Sequence, residues 1–313
     1  MKIPYISFIA GLSMALILGA CGGGSDASAP TIGDNLNANS KPYTTRLEFP
    51  RLSADAQTAV RVYLDGDEVN YSMEWDKDLQ SQHWSCYQLY ASNLKHGKGV
   101  KRYYGDPQYP ADPLFKTRDL IRGSGYDHGH ICPSADRMNR QVQNDQTFYL
   151  TNMQPQAAVF NGSKDPKGIH GPWWNMESQV RKIAERTSVT DTLYICKGGT
   201  IGKGGTLPYQ VFEHRHNGLL VPGYFFVALL QVKNGKYHSI GLLFPHGSNK
   251  KMYDVVGVPF TDNGDVEDRH LAKYARSIDQ LEKETGFDFF CNLPDSRENV
   301  IEAQCDPSLW GFD

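Results

Sequence analysis

From Trp173 to Arg186 the apolar residues Trp173, Met176, Val180, Ile183 and Ala184 recur at three- and four-residue spacing, the period of a helix with one buried face. Pro172 stands just before them, where a first-turn proline is tolerated. Elsewhere the pattern is that of strands. Trp84 to Tyr90, Thr192 to Cys196, Tyr224 to Val232 and Tyr237 to Phe244 are rich in aromatic and β-branched residues, and Asn234-Gly235 predicts a hairpin turn between the last two. Asp65-Gly66-Asp67 predicts another turn, between Arg46–Leu64 and Val69–Trp75. Two short strands are expected at Tyr126–Cys132, ended by Pro133, and at Phe148–Met153, ended by Pro155. Polar, turn-rich sequence lies between them. Ser277-Ile-Asp-Gln280 has the form of a capping box and starts a helix that Gly286 stops. The tail from Phe287 to Asp313 reads as an aromatic loop wrapping the sheet.

The N-terminus breaks this pattern. Met1-Lys2 followed by an apolar run from Tyr5 to Ala20 has the form of an export signal, short for a membrane span. Leu18-Gly19-Ala20-Cys21 resembles a bacterial lipobox, so residues 1–20 are expected to be a lipoprotein signal peptide and Cys21 the lipidated residue. Residues 21–45 then form a flexible Gly/Ser/Asn-rich linker to a membrane, and 46–313 one folded domain. The expected location is the bacterial cell envelope. Five cysteines remain after Cys21, an odd number, with Cys291 and Cys305 as the favoured disulfide pair. No Cys/His spacing has the form of a zinc site.

The net charge of −3 does not mark a nucleic-acid binder, but its distribution changes the picture. Between Lys95 and Arg186 there are fourteen Lys/Arg against nine Asp/Glu, so a basic stretch sits in an otherwise acidic chain. That suits a protein that must visit phosphates and leave them. The chemistry-bearing residues fall in the same stretch. Asp127-His128-Gly129-His130 is followed by Asn152, then Asn161, then Glu177 and Arg181 four residues apart on one helix face. Phosphodiester hydrolysis needs a base near neutral pKa, hard oxygen ligands for a divalent ion, and a permanent cation for developing charge. Histidine, Asn/Glu and arginine supply these in turn.

Asp127-x-Gly129-His130, the run Thr151-Asn152-Met153-x-Pro155-Gln156-x4-Asn161, and Trp173-x3-Glu177-x3-Arg181 together resemble the DNA/RNA non-specific endonucleases, the family with an Asp-Arg-Gly-His signature. The resemblance covers about Trp84 to Pro294. It implies an α+β fold, the ββα-metal (His-Me finger) nuclease fold with a central, mainly antiparallel sheet flanked by helices. It further implies a metal-dependent, sugar-nonspecific endonuclease that hydrolyses DNA and RNA and leaves 5′-phosphate ends. His130 would be the general base and Asn161 the direct ligand of Mg²⁺, with Mn²⁺ as the alternative ion. Glu177 would act on the ion largely through its water shell. Arg181 would stabilise the transition state, and so would Arg102, which also contacts substrate. Asn152 would orient the base or its surroundings, and Asp127 and Gly129 would be structural at the site. His128 departs from the signature: a neutral imidazole in the arginine's place grips phosphate less firmly. A second departure is an insertion, Gly162 to Gly171, before the helix. The competing reading is a catalytically decayed envelope lipoprotein that binds nucleic acid without cutting it.

Overall fold

Tyr224–Lys233 (β9) is apolar at consecutive positions because both of its faces are covered. Phe225, Val227 and Leu229 enter one core cluster while Phe226, Ala228 and Leu230 enter another. A strand of this kind belongs at the centre of a sheet with a layer packed on each side. In the computed structural model, which describes residues 37, 43–94, 119–162, 171–202, 204–247 and 268–312, that sheet is seven-stranded. Arg102, the export signal, Cys21 and nearly all of the linker lie outside the described residues. No described helix is long and apolar enough to cross a membrane.

The strand order is Thr58–Asp65 (β1), Glu68–Asp76 (β2), Ser81–Leu89 (β3), Thr192–Gly199 (β6), β9, Lys236–Pro245 (β10) and Ala275–Arg276 (β11), every pairing antiparallel. Both anticipated hairpins are present. Asn234 and Gly235 take φ values of +49° and +72° between β9 and β10, the left-handed pair that a twisted two-residue turn requires. Pro172–Glu185 (α3) covers one face with Trp173, Met176, Val180 and Ile183. Ile278–Thr285 (α4) covers the other with Ile278 and Leu281. Ser277 Oγ accepts from the Gln280 amide at 3.1 Å, and Gly286 ends α4 at φ +81°.

A separate two-stranded ribbon carries the motif residues. It pairs Asp127–His130 (β4) with Met153–Gln156 (β5), with Gln141–Gln146 (α1) between them in the chain and Ala158–Asn161 (α2) and α3 after them, while another ribbon pairs Val211–His214 (β7) with Leu220–Pro222 (β8). Three expectations are corrected here. The second ribbon strand is not Phe148–Met153: Leu150–Asn152 forms a 3-10 turn, and β5 runs through Pro155. A two-stranded ribbon has edges where a missing N–H leaves no ladder bond broken, so Pro155 sits opposite His128 instead of ending the strand. The tail is not all loop, since Asp295–Glu302 (α5) and a 3-10 turn at Pro307–Trp310 fold within it. Cys291 and Cys305 are not bonded, and all five described cysteines are free thiols. Cys291 is buried with its Sγ toward the Phe49 carbonyl, whereas Cys305 lies exposed beyond α5.

Candidate active site

His130 closes β4, and the chain behind it is clamped by Asn152. The Asn152 side chain is fully buried. Its Oδ1 accepts from the Cys132 amide at 2.9 Å, and its Nδ2 donates to the carbonyls of Cys132 and Thr147 at 2.9 and 2.8 Å. The Asn152 carbonyl also accepts from the Ile131 amide at 3.0 Å. Asn152 therefore fixes where the backbone goes after His130, and it is not among the residues lining the cleft described below. The edge of the His130 ring meets Phe148, with centroids 4.9 Å apart at 87°. Gly129 lets the strand pass: a Cβ there would fall 2.4 Å from Gln156 Cγ. Asn152→Ala strands several buried backbone groups at about 1–3 kcal/mol each. We expect a lowered denaturation midpoint, and a fall in kcat larger than any rise in KM.

Asn161 ends α2, and Asp127 Oδ2 accepts from its Nδ2 at 3.3 Å. That bond uses the amide nitrogen and leaves Oδ1 as the acceptor for a cation. The start of α2 is held from behind by His246, which is wholly buried. Its Nε2 accepts from the Ala157 amide at 2.9 Å while Nδ1 donates to the Pro222 carbonyl at 2.9 Å. This pattern requires a neutral ring. Burial, opposed by the Pro222 carbonyl, pushes the imidazole down to about 4. A depressed histidine favours the fold above its unfolded value and loses that contribution as pH falls. Stability should therefore drop between roughly pH 6.5 and 4, by up to about 3 kcal/mol. Thermal melts across that range should fall less steeply for His246→Gln, whose amide can make both bonds without titrating.

Glu177 and Arg181 lie one turn apart on α3 and are 13 % and 18 % exposed. Each is tied to a buried partner that sequence reasoning did not single out. Lys197 Nζ, on β6, donates to Glu177 Oε1 at 2.9 Å from within the core, over the Trp173 ring at 4.7 Å. Arg181 Nη1 donates to Asp136 Oδ1 at 2.9 Å, and the Tyr87 hydroxyl donates to Asp136 Oδ2 at 2.9 Å. Burial raises the Glu177 carboxyl against the lowering pull of Lys197 and Arg181. Arg181 is desolvated too, but Asp136 and Glu177 hold it more firmly cationic than usual. Asp136 stood in the sequence six residues after His130, a weak signal. Lys197 gave none beyond being a lysine in an apolar strand.

These pieces meet in one open cleft of about 330 Å³, lined by His130, Ser134, Asn161, Trp174, Glu177 and Arg181 among others. The insertion does not separate Asn161 from Glu177, since a Cβ on Gly171 would fall 2.3 Å from the Phe160 carbonyl oxygen and one on Gly162 2.6 Å from Trp174 Cβ. Trp174 stands at the cleft 37 % exposed, whereas Trp173 beside it is buried at 1 %. Neighbours on a helix point about 100° apart, so one apolar stripe takes only one of them. His128 does not line the cleft. Its Nε2 is 2.8 Å from Asp119 Oδ1. Partial burial raises the Asp119 carboxyl, but the bonds from His128 and Arg122 outweigh that and hold it low.

A histidine, an amide oxygen, a carboxylate and an arginine around one cleft, on a ribbon and a helix beside an antiparallel sheet, define a nuclease of the ββα-metal class. Residues 57–296 match the family model for DNA/RNA non-specific endonuclease, and the chain belongs to that family of metal-dependent nucleases. It is 28 % identical to mitochondrial endonuclease G of Caenorhabditis elegans over 270 residues, 83 % of this chain and 77 % of that protein. It is 27 % identical to a nuclease of Nostoc sp. over 75 % of this chain and 76 % of the relative. A chain in the crystal structure of the EndoG/EndoGI complex superposes with a TM-score of 0.57 at 23 % identity, covering 79 % of this chain and 89 % of its own, and shares the fold.

Proposed function

We propose that this protein hydrolyses phosphodiester bonds of both DNA and RNA by attack of water on phosphorus, leaving 5′-phosphate ends. The observation that carries the reading is the common cleft of His130, Asn161, Glu177 and Arg181. His130 takes the proton from the attacking water. Asn161 Oδ1 and Glu177 are hard oxygen donors, the set that Mg²⁺ or Mn²⁺ accepts while keeping water ligands. Such an ion, when bound, draws charge from the phosphate oxygens. Arg181, oriented by Asp136, lies where negative charge develops on phosphate, and Arg102 is assigned the same task. None of these groups reads a base or a sugar hydroxyl, which supports action on either nucleic acid.

Incubating the chain with plasmid DNA and with RNA, with Mg²⁺ or with EDTA, tests this directly. Metal-dependent cutting of both is expected. Binding without cutting would instead establish the decayed lipoprotein. His128 is assigned to substrate binding in the arginine's place, with its Nε2 2.8 Å from Asp119 Oδ1. His128→Arg, which puts a permanent cation in that place, should therefore lower KM, and a pH–rate profile identical to wild type would refute this. Lipidation of Cys21 and tethering to the bacterial envelope complete the reading. Loss of membrane association in Cys21→Ser is the expected result.

A further inference from the structure

On the opposite face of the sheet from the cleft, Asp279, Glu282 and Glu302 each bring a carboxylate oxygen within 4.8 Å of the other two. Asp279 stands in the first turn of α4, with Glu282 three residues on along the same helix face, and Glu302 is the last residue of α5. Two oxygens bound to one Ca²⁺ at 2.3–2.6 Å can lie at most about 5 Å apart, so the spacing is that of three ligands on one ion. A second observation is independent of the spacing. Glu302 is only 5 % exposed, its carboxylate turns into the cluster, and its Oε1 is buried with no hydrogen-bond partner. An unsatisfied buried anion is costly. Its position at the negative end of α5, whose last turn holds no basic residue, adds to that cost.

The neighbouring carboxylates deepen the conflict. Burial, then Glu282, Glu298, Asp288 and Asp279, push Glu302 up to about 10. Burial, with Asp288, Glu298 and Asp279, pushes Glu282 up to about 8, although its Oε1 accepts from the Phe289 amide at 2.7 Å. With neither thiol nor imidazole in the set, a hard cation is selected over a soft one. The irregular donor set suits the tolerant coordination of Ca²⁺ better than the strict octahedron of Mg²⁺.

We propose that Asp279, Glu282 and Glu302 form a second divalent-cation site, separate from the cleft and filled by Ca²⁺, that ties α4 to α5. The test uses the full chain carrying Asn161→Ala, so that the cleft's own ligand is gone. After EDTA treatment, CaCl₂ should raise the melting temperature by several degrees, and native mass spectrometry should find one ion per chain. Adding Asp279→Asn and Glu302→Gln should remove both effects. Should that chain not fold, the exposed Asp279→Asn alone should weaken Ca²⁺ affinity at least tenfold. The proposal is overturned if the Asn161→Ala chain gains neither stability nor mass with Ca²⁺, or if the gain survives the cluster substitutions.

Discussion

Replacing His130 by alanine is expected to slow phosphodiester cleavage by about 10²- to 10⁴-fold, the range for loss of a positioned general base. The fold should hold. The backbone after His130 is fixed by the Asn152 clamp and not by the imidazole, and the ring itself is only partly buried. Substrate affinity should change little, because Arg181 and the oxygen ligands remain, so the loss belongs in kcat. Added imidazole should restore part of the rate by entering the space the side chain leaves. Single-turnover cleavage of a short duplex measures both effects. A drop of less than tenfold would show that the base lies elsewhere.

The largest expected effect on stability comes from a residue outside the motifs. Lys197 is 2 % exposed at its side chain and donates to Glu177, itself 13 % exposed. Breaking such a buried pair from one side leaves an uncompensated charge at a cost of about 3–5 kcal/mol. Lys197→Met should therefore lower the urea midpoint sharply, while Lys197→Met with Glu177→Gln should recover most of the loss. The pH dependence has a definite sign. Glu177 already has a raised carboxyl, and losing Lys197 raises it further. A carboxyl raised in the fold favours folding below its unfolded value and loses that contribution as pH rises through the folded one. The single variant should thus be most damaged at neutral and alkaline pH and recover in mild acid. A uniform loss across pH would point to lost packing over Trp173 instead.

Much of the fold was legible because its signals are local. The α3 stripe, the Ser277 cap and the Asn234-Gly235 turn each depend on a few neighbouring residues, and all three formed where the pattern placed them. The misplaced β5 had a different cause. Proline usually ends a strand, but the rule assumes a ladder bond to lose, and only the partner strand reveals that Pro155 sits at an edge. The Cys291–Cys305 pairing failed for a related reason: closeness in sequence says nothing about α5 folding between them.

The sequence by itself determined which side chains this protein can use: the order of histidine, asparagine, glutamate and arginine, and the i, i+4 step that sets Glu177 and Arg181 on one face. Only the tertiary structure decided how those groups are charged and aimed. Lys197 reaches Glu177 across twenty residues, Asp136 reaches Arg181 across forty-five, and His246 reaches the start of α2 across eighty-nine. Such contacts leave no periodic trace, because burial and charge depend on what packs alongside, and the sheet brings distant segments together.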